Sequence, residues 1–499
     1  MNFNSLAFLL FLPIVLLVYW LLPHKFRWIW LLLASYVFYM SWNPWLIFLI
    51  IGTTLVSYLS AIIIEKNEKK GIKRFFLWLT IIVSIGALIF FKYFNFLIES
   101  VISFLRLFSL PIDSFALDII LPIGISFYTF QTLSYVIDVY KGDCQAEKHL
   151  GYYALFVCYF PQLIAGPIER PGDLLPQLKA EHHFNSEDFF AGLRILLVGF
   201  FYKCAVADVL GIYVNHYFGD LANATTLSTL IAGFFFAMQI YGDFAGYSEI
   251  ATGSARMMGV KLTRNFLRPY MADSFSLFFR EWHMSLTRWF TKYVYIPLGG
   301  SRKGKGRRIF ATFVVFFLCG LWHGANWTYV IWGLYAGLML NLESLFKKPV
   351  HNRLAKWGVP VEKRWMKGVR TVLLYLVLIP QCLIFRCSSV QEIGVVFTKL
   401  FTGWGISGQY FLNSFANLGL TPIAASLCLA LLFGEVYIFH YGEIGRDQPD
   451  LTGTLPKEKA RNILAHRYVI AGALALSILL LWVASLGVGA SSAFQYFQF

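Results

Sequence analysis

Long apolar runs separated by short loops give this chain its main pattern. The runs lie at 5–22, 28–41, 44–64, 75–98, 119–139, 151–168, 188–206, 227–245, 275–298, 309–321, 327–345, 371–386, 421–440 and 468–488. A helix needs about 20 mostly apolar residues to cross the hydrocarbon core of a bilayer. The pattern therefore predicts an all-α polytopic membrane protein with roughly 11 to 13 transmembrane helices. The runs at 151–168, 275–298 and 309–321 are too short or too polar for simple spans, so we expect them to be re-entrant or covered by protein.

Lys and Arg concentrate in a few of the loops, and this bias predicts the orientation of the chain. The basic loops are 65–74, 301–308, 347–370 and 445–467. Short loops rich in Lys and Arg stay on the cytoplasmic side of a membrane. Counting spans outward from these loops places the N-terminus and the tail 487–499 on the extracytoplasmic side.

Composition supports a membrane protein and excludes several other classes. Hydrophobic residues make up 58% of the 499 residues and charged residues only 14%, whereas a soluble domain has about 25% charged residues. The net charge of +15 sits in loops between apolar runs, so we expect contact with membrane lipid and no nucleic-acid partner. Seven scattered cysteines without a CxxC pair argue against a disulfide framework. No HExxH motif is present, and no metal site is predicted.

One histidine stands out because the predicted topology places it inside the membrane. The loops 301–308 and 347–370 lie on the same side, so the chain between them must enter the membrane and return. Its ascending arm, 309–321, has 13 residues and a length of about 20 Å, against a hydrocarbon core of about 30 Å. The tip that follows, with Trp322, His323 and Asn326, is therefore expected within the membrane. A buried neutral imidazole can act as a general base on a hydroxyl, and Asn326 can orient a ring or a carbonyl. The alternative is a hydrogen-bonded core histidine at a turn.

Two further polar positions lie in apolar surroundings. His283 follows Trp282 in an amphipathic stretch that precedes Tyr293-Val294-Tyr295-Ile296-Pro297, and it can converge with His323 although 40 residues separate them. The alternative is an interfacial helix with an aromatic belt. Asp243 lies in the polar segment 239–249, which is expected to line a cavity covered by protein. The alternative there is structural packing.

Two weaker signals concern the donor and the acceptor. The segment 299–306 is close to a phosphate-binding loop, but Gly306 stands where Ser or Thr would hold magnesium. It is therefore interpreted as a cationic loop that attracts an anionic donor carrying phosphates. The aromatic tail 494–499 has no charged side chain and contains Tyr496. A phenol is a better leaving group than a sugar alkoxide, so Tyr496 can carry an activated ester in a two-step transfer. The alternative is an interfacial anchor.

Several motifs follow one another in the order of a known family. They are Gly166-Pro167-Ile168, Tyr241-x-Asp243-Phe244-x-Gly246-Tyr247-Ser248, Asn265-Phe266-x-x-Pro269-Tyr270, Trp282-His283-x-Ser285-Leu286-Thr287-x-Trp289-Phe290, Tyr293-Val294-Tyr295-Ile296-Pro297-Leu298-Gly299-Gly300 and Leu321-Trp322-His323-Gly324. Together they resemble the membrane-bound O-acyltransferase (MBOAT) family, in its bacterial alginate O-acetylation branch. The likeness runs from the N-terminus to about residue 345. It departs at Thr291-Lys292-Tyr293, where the family often has Arg-Asp-Tyr, so no role for an acid is carried over there.

The resemblance implies a helical bundle with a central tunnel. It implies transfer of an acetyl group from acetyl-CoA in the cytosol to hydroxyls of an extracellular or cell-wall polysaccharide. His323 is then the essential histidine, His283 a second catalytic residue and Tyr496 a transient acyl acceptor. The expected substrate-binding residues are Asn326, Trp322, Asp243 and Trp282. Acetyl-CoA is a substrate, so no bound cofactor is expected, and a separate extracytoplasmic esterase-like or acetyltransferase protein is the implied partner.

The same resemblance implies how the chain is organised and where it resides. We expect one membrane domain over 1–499, with an MBOAT-like core at 5–345 and C-terminal helices plus the tail at 346–499. The expected location is the bacterial cytoplasmic membrane. Two other functions are weighed. D-alanyl transfer to teichoic acid keeps the fold, but that branch tends to be shorter and to use a separate tail peptide. A polysaccharide or solute transporter would use the same polar residues as a pathway, but no internal repeat typical of transporters is detected.

Overall fold

The computed structural model describes residues 1–437 other than 110, 111 and 114, and within that part of the chain it is helical without a strand. The helices are α1 (Leu6–Leu21), α2 (His24–Met40), α3 (Ile47–Lys66), α4 (Lys70–Leu88), α5 (Phe94–Arg106), α6 (Ile125–Lys141), α7 (Leu150–Cys158), α8 (Phe160–Leu163), α9 (Pro171–Lys179), α10 (Ser186–Phe200), α11 (Asp208–Gly219), α12 (Thr226–Met257), α13 (Phe275–Glu281), α14 (Met284–Phe290), α15 (Lys305–His323), α16 (Trp327–Lys356), α17 (Arg364–Arg386), α18 (Val390–Thr402), α19 (Gly408–Asn417) and α20 (Pro422–Tyr437). Two π-helical turns, Ile89–Tyr93 and Phe201–Ala207, join neighbouring helices, and a third, Thr291–Tyr295, directly follows α14. The prediction of an all-α fold is confirmed.

Six continuous helices of the described residues are long and apolar enough to cross a membrane. They are Pro44–Lys66, Lys70–Arg106, Ser186–Gly219, Thr226–Met257, Trp327–Lys356 and Trp365–Arg386. The bent pair Gly408–Asn417 and Pro422–Leu429 would make a seventh. The sequence predicts more spans, and part of the difference is that α1, α2 and α6 have only 16 or 17 residues each. The run 468–488 and the basic loop 445–467 lie outside the described residues. The chain is a multi-pass membrane protein.

Helix α12 forms the centre of the bundle. Its 32 residues include the polar segment 239–249, which other helices cover almost completely. Glycines let α10 approach α12 closely, because a Cβ at Gly199 would lie 2.7 Å from the carbonyl oxygen of Gly246. Backbone contact of this kind is common where helices associate in a membrane. The polar stretch is thus buried against protein rather than exposed to lipid.

Two of the three doubtful apolar runs are broken; the first is covered almost completely by protein and the second only in part. The run at 151–168 divides at Tyr159 into α7 and α8 and then turns at Gly166, and its side chains are almost all buried. The run at 275–298 divides into α13, α14 and the π-helical turn Thr291–Tyr295. Irregular backbone at such positions is tolerated because protein surrounds it.

The prediction for the third run was wrong in its bounds. Helix α15 has 19 residues and begins at Lys305, because the basic residues before the apolar run are already helical. At 1.5 Å per residue it is about 28 Å long, so a short arm does not explain the depth of His323. The basic loops 65–74 and 301–308 lie at one end of the bundle, since α4 and α15 both start from them and their other ends meet at Lys92 and Trp322. We call this end the basic end.

Candidate active site

His323 is the last residue of α15, and aromatic rings enclose its side chain. The imidazole centroid lies 5.0 Å from the ring of Trp332 in α16 and 5.1 Å from the ring of Phe385 in α17, both near perpendicular. Trp322, next to it in sequence, lies 4.9 Å away. Glycine makes the tight hairpin between α15 and α16 possible, because a Cβ at Gly324 would lie 2.1 Å from a ring carbon of Tyr329. Three helices thus fix the surroundings of one imidazole.

His283 lies between α13 and α14 in a backbone conformation that is rare for a residue with a side chain. Its φ is 43° and its ψ is 55°, the left-handed region, which costs roughly 1–2 kcal/mol for a non-glycine residue. The side chain is 2% exposed, and neither ring nitrogen has a hydrogen-bond partner among the described residues. Its ring packs 4.6 Å from Phe244 and 5.6 Å from Trp322. Strained backbone and unpaired buried nitrogens together mark a functional residue more often than a structural one.

The structure brings the two histidines to one cavity. This cavity, of about 440 Å³, is bordered by both imidazoles and by Trp282. One face of α15 forms a wall along its length, with Arg308, Thr312, Val315, Phe316, Cys319 and His323. Arg308 and His323 are about 22 Å apart along the helix axis, and Arg308 belongs to the basic end. We call this space the donor cavity, and it joins the basic end of the bundle to the histidines.

Two smaller cavities reach His323 from other directions. One of about 70 Å³ is bordered by His323, Trp322, Lys92 and the segment 121–127 that leads into α6. We call it the outer cavity, since it lies at the end of α15 opposite Arg308. The other, of about 40 Å³, is apolar and includes Phe385 and Gln381 of α17. His323 therefore borders all three spaces, and Trp322 borders the outer cavity.

Two of the predicted substrate-binding residues have other partners. Asp243 is fully buried and pairs at 2.8 Å with Lys203, whose ammonium also contacts Asp208 at 2.7 Å. Asp243 borders none of the three cavities, and its role in substrate binding stays a prediction. Asn326 caps α16 by accepting from the amide of Thr328 and donates to the carbonyl of Ser388. It too borders none of the cavities.

Sequence reasoning missed several residues that the fold brings to the site. Phe385 and Gln381 lie in a region, 346–420, that offers no recognisable motif. Lys92 lies in an apolar run, and a single cation in such a run is a signal for function that points here to the outer cavity. Tyr496 and the rest of the tail lie outside the described residues, so their position relative to His323 stays a prediction.

The fold is that of an integral membrane protein with two histidines on one cavity, and comparison with known proteins places the chain in a family. Residues 147–359, which contain both histidines, match the sequence model of MBOAT, the membrane-bound O-acyltransferase family. The chain is 35% identical over 540 aligned residues to the probable alginate O-acetylase AlgI of Pseudomonas aeruginosa, with both chains covered completely. The chain belongs to the membrane-bound O-acyltransferase family and is an O-acyltransferase, as its motifs predict.

Relatives with other named substrates match less of the chain. The peptidoglycan O-acetyltransferase of Helicobacter pylori is 33% identical over 378 residues, which is 69% of this chain and 70% of that protein. The teichoic acid D-alanyltransferase of Bacillus subtilis is 26% identical over 264 residues, 51% of this chain and 65% of that protein. The full-length likeness is thus to O-acetylating relatives.

Proposed function

We propose that this enzyme transfers an acetyl group from acetyl-CoA in the cytoplasm to hydroxyls of a cell-envelope polysaccharide outside a bacterial cytoplasmic membrane. The basic loops at one end of the bundle support this orientation, because Lys-rich and Arg-rich loops remain in the cytoplasm. Acetyl rather than another acyl group is supported by the relatives that match the whole chain, which are named as alginate O-acetylases. The N-terminus and the tail 487–499 are then extracytoplasmic.

The observation that carries the proposal is that His323 borders two cavities, one lined by α15 back to Arg308 and the other bordered by Lys92 at the opposite end of α15. A thioester that enters along the donor cavity and a hydroxyl that enters the outer cavity meet only at this imidazole. Such an arrangement fits a reaction whose donor and acceptor are held on different sides of a membrane.

The chemistry follows from the residue types. His323 takes the proton of the attacking hydroxyl, whose oxygen forms a bond to the thioester carbonyl carbon. The carbon–sulfur bond then breaks, and the proton leaves with the CoA thiol. His283 has two ring nitrogens without partners among the residues that the structure describes, and one of them donates a hydrogen bond to the carbonyl oxygen as negative charge develops there. Arg308, at the far end of the donor cavity, binds the phosphates of the donor.

The final acceptor is proposed to be reached in two steps. Tyr496 of the extracytoplasmic tail receives the acetyl group first, because a phenyl ester is activated relative to a sugar ester. A separate extracytoplasmic esterase-like or acetyltransferase protein then carries the group to the polysaccharide. The relatives are named for alginate, peptidoglycan and teichoic acid, and we propose a cell-envelope polymer of this kind as the acceptor.

The first test uses cells of the source strain that lack the chromosomal gene and carry variants at matched membrane levels. His323→Ala should reduce base-labile acetyl esters on the envelope polysaccharide by at least about 100-fold. His351→Ala, at an exposed position near the C-terminal end of α16, is the matched control and should leave acetylation unchanged. Normal acetylation in His323→Ala would refute the catalytic assignment. Mass spectrometry of the released group separates acetyl from D-alanyl transfer.

The relay is tested separately. Tyr496→Phe keeps the ring and removes the nucleophilic oxygen, so acetylation should be lost while the amount of enzyme in the membrane stays the same. Full acetylation in this variant would leave only the role of an interfacial anchor. Label that moves from [14C]acetyl-CoA to protein in the purified wild-type chain, but not in Tyr496→Phe, would support the acyl-tyrosine step and exclude simple transport.

A further inference from the structure

The C-terminal end of α15 has an unusual way of satisfying its backbone carbonyls. The last four carbonyls of a helix have no partner within the helix. In α15 these belong to residues 320–323, and the amide of Gly324 serves the first of them at 3.3 Å. The hydroxyl of Tyr93 donates to the carbonyl of Leu321 at 2.6 Å. The ammonium of Lys92 donates to the carbonyl of Trp322 at 2.5 Å and to that of His323 at 3.2 Å.

Both donors come from the same distortion of a neighbouring helix. Ile89–Tyr93 is a single π-helical turn between α4 and α5, and such turns occur frequently at functional sites. Two adjacent side chains of this turn hold three consecutive carbonyls at the end of α15. A cation beside these carbonyls is favoured by the helix dipole, whose negative end lies there.

The choice of lysine at this position needs a reason beyond stability. A charged residue within a membrane span is costly, and no acidic side chain of the described residues forms an ion pair with Lys92. The ammonium is held by carbonyls that belong to Trp322 and His323, and the same lysine borders the outer cavity beside the imidazole. Its contacts are therefore with the one part of α15 where a small displacement would move the candidate base.

We propose that Lys92 and Tyr93 are positioning residues for the imidazole of His323. By binding the carbonyls of residues 321–323, they fix the direction in which α15 ends, and with it the placement of the imidazole between the donor cavity and the outer cavity. They do not exchange protons with the substrate. This inference rests on the proposed role of His323, and it assigns a function to the π-helical turn Ile89–Tyr93.

The test measures acetyl transfer by the full-length enzyme in vesicles prepared from source-strain membranes with the cytoplasmic face outward. [14C]acetyl-CoA is the donor, and the endogenous polymer of the membranes is the acceptor. The variants are Lys92→Met, Lys92→Arg and Tyr93→Phe. Two matched controls lose the same kind of bond elsewhere: Lys399→Met removes a lysine bound to the carbonyl of Ala222, and Tyr335→Phe removes a hydroxyl bound to the carbonyl of Val377. The folded fraction of each variant is taken from size exclusion in detergent.

Misplacement of a catalytic group by about 1 Å can cost 100-fold in rate. Lys92→Met is therefore expected to lower kcat per folded enzyme by about 100-fold and Tyr93→Phe by about tenfold. The KM for acetyl-CoA should change less than about twofold, because the donor cavity is not altered. Lys92→Arg keeps a cationic donor and should recover part of kcat. The two control variants should keep the wild-type kcat.

The outcomes separate this inference from the proposed function. A wild-type kcat in folded Lys92→Met and Tyr93→Phe, with His323→Ala inactive, would overturn the positioning role alone. If Lys92→Met fails to fold, Tyr93→Phe decides the question by the same criterion. Activity retained in His323→Ala would instead overturn the proposed function. A loss of kcat shared by the two controls would mean that removing any such bond is harmful, and it would also overturn the specific role of the turn.

Discussion

Replacing Gly333 with alanine should damage catalysis far more than it damages folding. Gly333 in α16 faces α15, and a Cβ there would lie 2.2 Å from the carbonyl oxygen of Phe316. Atoms of this kind are essentially never found closer than 3.0 Å, so the two helices must separate by about 1 Å to restore an ordinary contact. The obstructing atom is part of the helix backbone, so a change of rotamer cannot relieve the overlap.

That separation acts directly on the candidate site. Trp332, the neighbour of Gly333, packs 5.0 Å from the imidazole of His323. A displacement of about 1 Å between catalytic groups can cost 100-fold in rate. The effect on stability is smaller, because overpacking costs about 1–3 kcal/mol while alanine gains roughly 1 kcal/mol of helix propensity over glycine. We therefore expect kcat for acetyl transfer to fall by about 100-fold, with a change in unfolding free energy of no more than about 2 kcal/mol.

The assay combines two measurements on the same preparations. Transfer of [14C]acetyl from acetyl-CoA in membrane vesicles reports kcat, and thermal unfolding in detergent reports stability. Gly86→Ala in α4 is the matched control, because a Cβ there meets nothing within 4 Å, and this variant should keep its activity. A wild-type kcat in Gly333→Ala would refute the reasoning that close packing of α15 and α16 sets the site.

Three further predictions concern other parts of the structure. Asp243→Leu should destabilise the protein by about 3–5 kcal/mol, because it leaves the buried Lys203 without one of its two carboxylates. The double variant Lys203→Met with Asp243→Leu should lose less stability than Asp243→Leu alone. Melting in detergent measures both variants, and equal losses of stability would contradict the ion-pair account. Burial raises the pKa of Glu169, in the loop between α8 and α9, to about 7. The folded state therefore favours the protonated carboxyl, and the stability that this protonated form contributes is lost as the pH rises towards 7. Glu169→Gln should therefore be more stable than the wild type above pH 7 and equal to it near pH 4, and an unchanged difference across this range would be the contrary result. Arg308→Met should raise the KM for acetyl-CoA by about 10-fold or more, because it removes one charge-assisted hydrogen bond to the donor. Arg353→Met, at the end of α16, should leave this KM unchanged. Steady-state kinetics in vesicles distinguish the two variants.

The histidine motifs show how far sequence reasoning reaches into the site. His323 and His283 are identifiable because ionisable residues are rare in apolar runs, and the structure places both on the donor cavity. The argument that led to His323 was nevertheless partly wrong. It assumed that α15 begins at residue 309, but hydropathy cannot show that the basic residues from Lys305 onward are already helical.

Asp243 and Asn326 show what the sequence leaves open. Both are polar, lie in suggestive motifs and are plausible ligands for a substrate. Their side chains are instead held by Lys203 and by the backbone of Thr328 and Ser388. A buried polar group must find a partner, and that partner can be protein or substrate. The chain by itself does not reveal which, because the partner is supplied by a residue distant in sequence.

The order of residues alone determined that this protein is a helical membrane protein, which end of the bundle is basic and which family it belongs to. These properties depend on composition, on the lengths of apolar runs and on local motifs, all of which can be identified from residues close together in the sequence. Tertiary structure alone decided that Lys92 and Tyr93 bind the end of α15, that Phe385 packs on His323 and that three cavities border one imidazole. Those relations arise from helices that approach within a few ångströms after folding, and their residues are separated by tens to hundreds of positions in the chain.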